Sequence, residues 1–228
     1  MNTPVVRVVD LWKEYRENGQ AVTQALRGAN LEVAPGEVVA LFGKSGSGKT
    51  TLLNLLAGLD RPTRGTVEIN GRSLAELGEA GRTELRRSRL GFIFQFFNLL
   101  PTLTAYENVF LALELAGRIQ PQAARDALER VGLKGKEHRY PHELSGGEQQ
   151  RVAVARAIVK EPALILADEP TGNLDTATGD QILQLITERC RQGGTSLLMV
   201  THTPLACRYA DRILKMVDGV VTEDEKCR

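Results

Sequence analysis

Apolar positions along the chain follow two different spacings. Residues 5–15 and 22–33 read as strands, and Glu17-Asn-Gly-Gln20 between them carries the Asn-Gly pair that predicts a hairpin turn. Val67-Glu-Ile-Asn-Gly-Arg72 and Met216-Val-Asp-Gly-Val-Val221 repeat the signal, so antiparallel ribbons are expected to flank the core at both ends of the chain. Three nearly unbroken apolar runs read as buried strands: Glu37-Val-Val-Ala-Leu-Phe42, Ala163-Leu-Ile-Leu-Ala-Asp-Glu169 and Thr195-Ser-Leu-Leu-Met-Val-Thr201.

Elsewhere the spacing is helical. Leu52, Leu55, Leu56 and Leu59 fall at i, i+3, i+4 and i+7 and predict an amphipathic helix over 50–58. Thr104 and Glu107 have capping-box spacing, with Tyr106, Val109, Phe110 and Leu113 following on one face. Pro121 suits a first helical turn, with Ala124, Leu128 and Val131 inward and Gly132 closing the helix. Ser145 and Glu148 form a second capping-box pattern. Val152, Ala155, Arg156 and Val159 continue it, the arginine laying its stem along the buried face. No internal repeat is present, and residues 223–228 read as a frayed charged tail.

The bulk numbers narrow the class. A chain of 228 residues with 42% hydrophobic content suits one soluble domain, or one domain with a subdomain. Lys+Arg 29 against Asp+Glu 28 leaves a net charge of +1, which gives no basic field for nucleic acid. No run approaches the roughly 18 apolar residues of a membrane span. The start, Met1-Asn-Thr-Pro-Val-Val6, lacks the pattern of a signal peptide. Cys190, Cys207 and Cys227 are odd in number and far apart, pointing to reduced thiols in a cytosolic protein.

Chemistry concentrates first at Gly43-Lys-Ser-Gly-Ser-Gly-Lys-Thr50, which fits the phosphate-loop pattern between a strand and a helix. Gly43, Lys44, Ser45, Gly46, Ser47 and Gly48 are expected to turn backbone N–H groups around an anion at the helix start, with Thr51 just inside it. Lys49 then sits on the β- and γ-phosphates of a nucleoside triphosphate, and the Thr50 hydroxyl reaches Mg²⁺. A glycine-rich turn without ligand is the alternative. In Leu144-Ser-Gly-Gly-Glu-Gln-Gln-Arg151 two glycines occupy a first helical turn, at roughly 1 kcal/mol each against alanine. Close approach of bare amides to an anion would offset that; an ordinary capped helix with a glycine-rich lead-in is the competing reading. Asp168 and Glu169 end a buried strand, where ligands of open α/β sheets gather. Asp168 suits the Mg²⁺ shell, and Glu169 is placed to take a proton from attacking water.

Taken in order, the phosphate loop, Gln95 in Phe92-Ile-Phe-Gln-Phe-Phe97, the Ser-Gly-Gly helix start, Asp168-Glu169, Asn173-Leu-Asp175 and His202 resemble the ATP-binding-cassette ATPases over nearly the whole chain. That resemblance implies an α/β fold of the phosphate-loop NTPase kind: a mixed nucleotide-binding sheet, an antiparallel β layer, and a helical subdomain at about 94–160 inserted in a single domain, 1–228. It implies that Tyr15 stacks on adenine, that Gln95 touches Mg²⁺ and the attacking water, and that His202 contacts the γ-phosphate. It further implies a head-to-tail dimer in which Ser145 and Gly147 of one copy close on ATP held by the other, with Asp175 at the seam. His138 and His142 are left as surface residues.

Residues 91–109 and 168–175 are similar to the lipoprotein-releasing, macrolide-exporting and cell-division branch, whose ATPases work with separate transmembrane subunits. The implied function is ATP hydrolysis driving such a permease from the cytoplasmic face of the inner membrane, with cargo decided by chains not shown. Phe92, Phe94, Phe96 and Phe97 either line the groove for that subunit or fill the core between subdomains. Lys44 and Thr203 depart from the pattern, at positions more often small or proline and aspartate respectively. The rival readings are a soluble ATP-driven clamp on nucleic acid or the ribosome, for which no coiled-coil insertion, zinc cysteines or second cassette appears, and a binding-only cassette, against which Glu169 and His202 both argue.

Overall fold

The computed structural model describes residues 3–17 and 20–226. Strands β1 (Val6–Glu17) and β2 (Gln20–Val33) pair antiparallel from Val6↔Val33 to Glu17↔Gln20. The Asn18-Gly19 turn expected between them lies outside the described residues. β3 (Val38–Phe42) runs into the phosphate loop. β4 (Arg64–Ile69) pairs with the other edge of β1 and turns into the short β5 (Arg72–Ser73), giving a four-stranded antiparallel layer ordered β2-β1-β4-β5. Asn70 and Gly71 both have positive φ, 50° and 70°, as the twisted two-residue hairpin turn demands.

A second sheet adds β6 (Leu90–Phe94), β7 (Leu164–Asp168), β8 (Ser196–Thr201), β9 (Arg212–Val217) and β10 (Val220–Lys226). Its order is β10-β9-β3-β8-β7-β6, and every pairing is parallel except β10 on β9. The C-terminal ribbon therefore does not flank the core, as its turn signal suggests, but forms the edge of the central sheet. Its turn, Asp218-Gly219, reaches back to the phosphate loop: Gly219 N–H donates to the Ser47 carbonyl at 3.0 Å, and Arg27 N–H donates to the Gly219 carbonyl at 2.9 Å.

Both faces of the parallel strands are covered, which is why their sequences read as unbroken apolar runs. Alternate residues feed two cores. Val39, Leu41, Leu164, Leu166, Leu198 and Val200 pack toward the antiparallel layer and α1 (Lys49–Leu56). Val38, Ala40, Ile165, Ala167, Leu197 and Met199 pack toward a helical layer on the other face. Four helices build that layer: α3 (Ala105–Leu115), α4 (Pro121–Arg130), α5 (Gly146–Ile158) and α6 (Thr176–Gly193). A further helix, α2 (Glu79–Ser88), precedes β6.

The sequence signals at the helix ends are realised. Glu107 N–H donates to Thr104 Oγ1 at 3.2 Å, and Thr104 N–H donates to the Glu107 carboxylate at 2.8 Å. Pro121 opens α4, and Ala124, Leu128 and Val131 are buried. Leu59 departs from expectation: Gly58 at φ 63° ends the first helix, so Leu59 leaves the apolar stripe and is 57% exposed. Arg156 does more than lay its stem inward, because its guanidinium donates to the Phe97 carbonyl at 2.7 Å and to the Asn98 carbonyl. Cys190 is buried, which pushes its thiol up to about 12. Cys227 lies outside the described residues.

Candidate active site

The phosphate loop is shaped by backbone that only glycine adopts freely. Gly48, the N-cap of α1, has φ 105°, and a Cβ there would stand 2.4 Å from the Ala25 carbonyl oxygen. No side chain caps α1, so its first N–H groups remain available to an anion. Lys49 is almost fully buried. Its ammonium donates to the carbonyls of Gly43 at 2.7 Å and Lys44 at 3.0 Å, curling over the loop. Lys44 and Ser45 are exposed, while Ser47 is buried with its hydroxyl unpartnered among the described residues.

Strand β7 delivers Asp168 to the same place. Thr50 Oγ1 donates to Asp168 Oδ2 at 3.3 Å, joining the loop's hydroxyl to the strand-end carboxylate. Burial raises the Asp168 carboxyl above its ordinary range, a penalty that a bound cation would reverse. A hydroxyl and a carboxylate are hard oxygen donors, and this pair fits Mg²⁺.

Glu169 follows at φ 45°, a conformation that costs a non-glycine residue about 1–3 kcal/mol. Its N–H donates to the Val200 carbonyl at 2.9 Å, pinning it to the end of β8. Both carboxylate oxygens face the residue that follows β8: His202 Nδ1 lies 2.9 Å from Oε1, and His202 N–H donates to Oε2 at 3.2 Å.

These groups share one cleft of about 750 Å³, lined by Gly43 to Gly46 and Gly48 to Thr51 of the loop, though not Ser47, and by Gln95, Asp168, Glu169 and His202. Its remaining wall is Thr23, Gln24 and Ala25 of β2. Tyr15 is not in the lining, but it pairs with Thr23 across the β1–β2 ribbon and shares that face. Its ring is anchored: the hydroxyl donates to Asp60 Oδ2 at 2.9 Å, and Lys13, 2.6 Å from Asp60, stands 4.8 Å over the ring. Burial, and then the Asp60 hydrogen bond, push the phenol up. Gln95 is also anchored, its amide nitrogen donating to Asn173 Oδ1 at 3.2 Å.

Ser145, Gly147 and Asp175 are not brought to this cleft. Ser145 caps α5, accepting from Glu148 N–H at 3.3 Å. Gly147 has a packing reason of its own, since a Cβ there would stand 2.7 Å from Thr178 Cγ2 of α6. Asp175 caps α6, accepting from the N–H groups of Ala177 at 3.1 Å and Thr178 at 3.0 Å. It lines a neighbouring cleft of about 650 Å³ that has Glu169, His202 and Thr203 in its wall. Two anchoring residues, Asp60 and Asn173, have no role in the sequence reading. Asn173 sits inside a quoted motif, but its partner is visible only in three dimensions.

At the β6 edge of the central sheet, Phe92 and Phe94 stack at 5.9 Å and line a groove of about 310 Å³. Arg86, Arg87, Arg156 and Lys160 share that groove. Lys160 is buried, which pushes its ammonium down to about 8. Phe96 projects into solvent at 71% exposure, and Phe97 points toward Gly146, 3.7 Å from where a Cβ would be. The four rings thus divide, two into the groove and two away from it.

Residues 26–172 match the family model described as ABC transporter. The chain is 49% identical over 219 residues to an uncharacterised ABC transporter ATP-binding protein of Mycobacterium tuberculosis, covering 95% of this chain and 88% of that one. It is 46% identical over 223 residues to the lipoprotein-releasing system ATP-binding protein LolD of Geobacter metallireducens, covering 96% and 99%. Among solved structures, the ATP-binding cassette MJ0796, dimeric in a post-hydrolysis state with ADP and Pi, superposes at TM-score 0.89 with 40% identity over 98% of this chain and 99% of that one.

Proposed function

The chain belongs to the ABC transporter family, and from that premise we propose that it is the ATP-binding and ATP-hydrolysing subunit that powers a separate transmembrane permease. The observation that carries this reading is the shared cleft, in which Lys49 and Thr50 face Asp168, Glu169 and His202. Triphosphate draws the Lys49 ammonium from its two loop carbonyls onto the β- and γ-phosphates, while the bare N–H groups of α1 hold the phosphate oxygens. Thr50 and Asp168, with Gln95, would hold Mg²⁺, which supplies charge neutralisation to the phosphates when bound. Glu169 accepts the proton of the water that attacks the γ-phosphorus as the bond to the leaving oxygen breaks. His202, engaged through Nδ1 with Glu169, offers Nε2 to the γ-phosphate. Tyr15, steadied by Asp60, stacks on adenine.

The site is completed by a second copy. Ser145 and Gly147 cap the nucleotide of the partner, and Asp175 lies at the seam. The dimeric state of the MJ0796 cassette supports this arrangement. We read residues 1–228 as one cassette with a helical part at about 94–160, and the Phe92–Phe94 groove beside it as the surface that meets the permease. No helix among the described residues is long and apolar enough to cross a membrane. The likeness to the lipoprotein-releasing system ATP-binding protein LolD supports a cassette that works peripherally at the cytoplasmic face, with cargo of the lipoprotein-release, efflux or mechanotransmission kind.

A two-copy site has a kinetic signature. Phosphate release per mole of protein should rise with protein concentration until the dimer saturates. Specific activity independent of concentration in a protein that sediments as a monomer would overturn the two-copy reading. Detergent extracts should yield the cassette bound to a membrane protein, and the groove variant Phe94→Asp should lose that partner while keeping basal hydrolysis.

A further inference from the structure

Gln95 and Asn173 are far apart in sequence and face each other through a reciprocal pair of hydrogen bonds. Asn173 Nδ2 donates to the Gln95 backbone carbonyl at 3.0 Å, and Gln95 Nε2 donates to Asn173 Oδ1 at 3.2 Å. The pair fixes which way each amide points. A backbone carbonyl only accepts, so the Asn173 nitrogen must face it. Asn173 Oδ1 is then the atom turned to Gln95, and only the Gln95 amide nitrogen can donate to it. What remains for the cleft is Gln95 Oε1, a pure acceptor with no donor among the described residues.

Gly172 makes room for this arrangement. A Cβ there would stand 2.8 Å from Gln95 Nε2 and 3.1 Å from its Cδ, so the side chain lies against the bare glycine backbone. An acceptor oxygen is the chemistry that a Mg²⁺ ion or a water proton requires, and a flipped amide would present N–H groups to the cation instead.

We propose that Asn173, seated beside Gly172, is the positioning residue that locks the Gln95 carboxamide with its oxygen toward the cation and the attacking water. The proposal rests on the reading of Gln95 as a group at Mg²⁺. Asn173 touches neither substrate nor metal; it acts through Gln95, and it stands two residues from Asp175 at the dimer seam.

The test is a Mg²⁺ titration of ATP hydrolysis and of fluorescent-ATP binding, with side-chain amide NMR of Gln95 in the nucleotide-free protein. Asn173→Ala should erase the hydrogen-bonded Gln95 amide signature and raise the Mg²⁺ needed for half-maximal activity about tenfold, the effect typical of losing an outer-shell partner. Gly172→Ala, whose methyl would displace the Gln95 side chain, should shift Mg²⁺ dependence in the same direction. Asn173→Asp keeps an acceptor for Gln95 Nε2 but sets a carboxylate oxygen against the Gln95 carbonyl in place of Nδ2, so it should be impaired as well. In a Gln95→Ala background, Asn173→Ala should add nothing. If Gln95→Ala itself leaves Mg²⁺ dependence unchanged, the role of Gln95 falls, and the proposal with it. If Gln95→Ala shifts it but Asn173→Ala does not, the positioning role alone is overturned.

Discussion

His202 Nδ1 stands 2.9 Å from Glu169 Oε1, and the His202 backbone N–H holds the other carboxylate oxygen at 3.2 Å. The carboxylate proposed as the base is thus oriented from two directions by one residue at the neighbouring strand end. Removing its charge while keeping its shape separates binding from chemistry. Glu169→Gln should lower phosphate release by about 10²–10⁴-fold, the usual worth of general-base help, and keep ATP affinity. Hydrolysis within a factor of two of the native rate would remove Glu169 from that role.

Lys49 and His202 occupy the same cleft with different duties. Lys49→Ala removes the ammonium that the loop carbonyls hold at 2.7 and 3.0 Å, and nucleotide affinity should fall in an equilibrium titration. His202→Ala should bind nucleotide almost as well and turn over more slowly. Equal loss of affinity in the two variants contradicts the division of labour.

The capping boxes of α3 and α5 offer an internal control. Thr104 and Ser145 each accept from the N–H three residues on, at 3.2 and 3.3 Å. Thr104→Ala and Ser145→Ala should therefore cost similar stability, about 1 kcal/mol each in urea unfolding. Only Ser145→Ala should also depress ATP hydrolysis at saturating nucleotide. Matching activity in the two variants would reduce Ser145 to a helix cap.

Lys160 predicts a pH effect. Burial pushes its ammonium down to about 8, below an unfolded-state value of about 10.4, so the unfolded chain binds the extra proton between those limits. Stability contributed by this residue rises with pH across that window and is smallest below it. Measured by urea unfolding, the stability of native protein relative to Lys160→Met should climb from pH 8 to pH 10. A flat difference would show that the ammonium is not desolvated.

Much of this architecture is legible before any coordinates. The phosphate loop needs only its spacing between strand and helix, both capping boxes are local, and the Asn70-Gly71 and Asp218-Gly219 turns announce themselves by residue type. What escapes is set by distance in the chain or by too few apolar positions to mark a face. Helix α2 buries only Leu85 and Arg82, so its overwhelmingly polar sequence offers a single apolar anchor. Helix α6 is also unassigned in the sequence reading, although Ile182, Leu183, Ile186 and Cys190 carry a readable spacing after the Asp175 cap. The bond between Tyr15 and Asp60 and the pairing of Gln95 with Asn173 join segments that no local pattern connects. Gly147 illustrates a different limit: a glycine expected from anion binding also answers to Thr178 in its own chain.

The Gly219 amide that clasps the Ser47 carbonyl has a consequence for synthesis. A ribosome makes the phosphate loop well before the ribbon that braces it, so the nascent chain carries an unbraced loop until β9 and β10 have emerged. Long-range closure of this kind is slow and leaves apolar strands unpaired meanwhile. Nucleotide capture then waits on that hairpin, and a chain stalled before it should hold nucleotide more weakly.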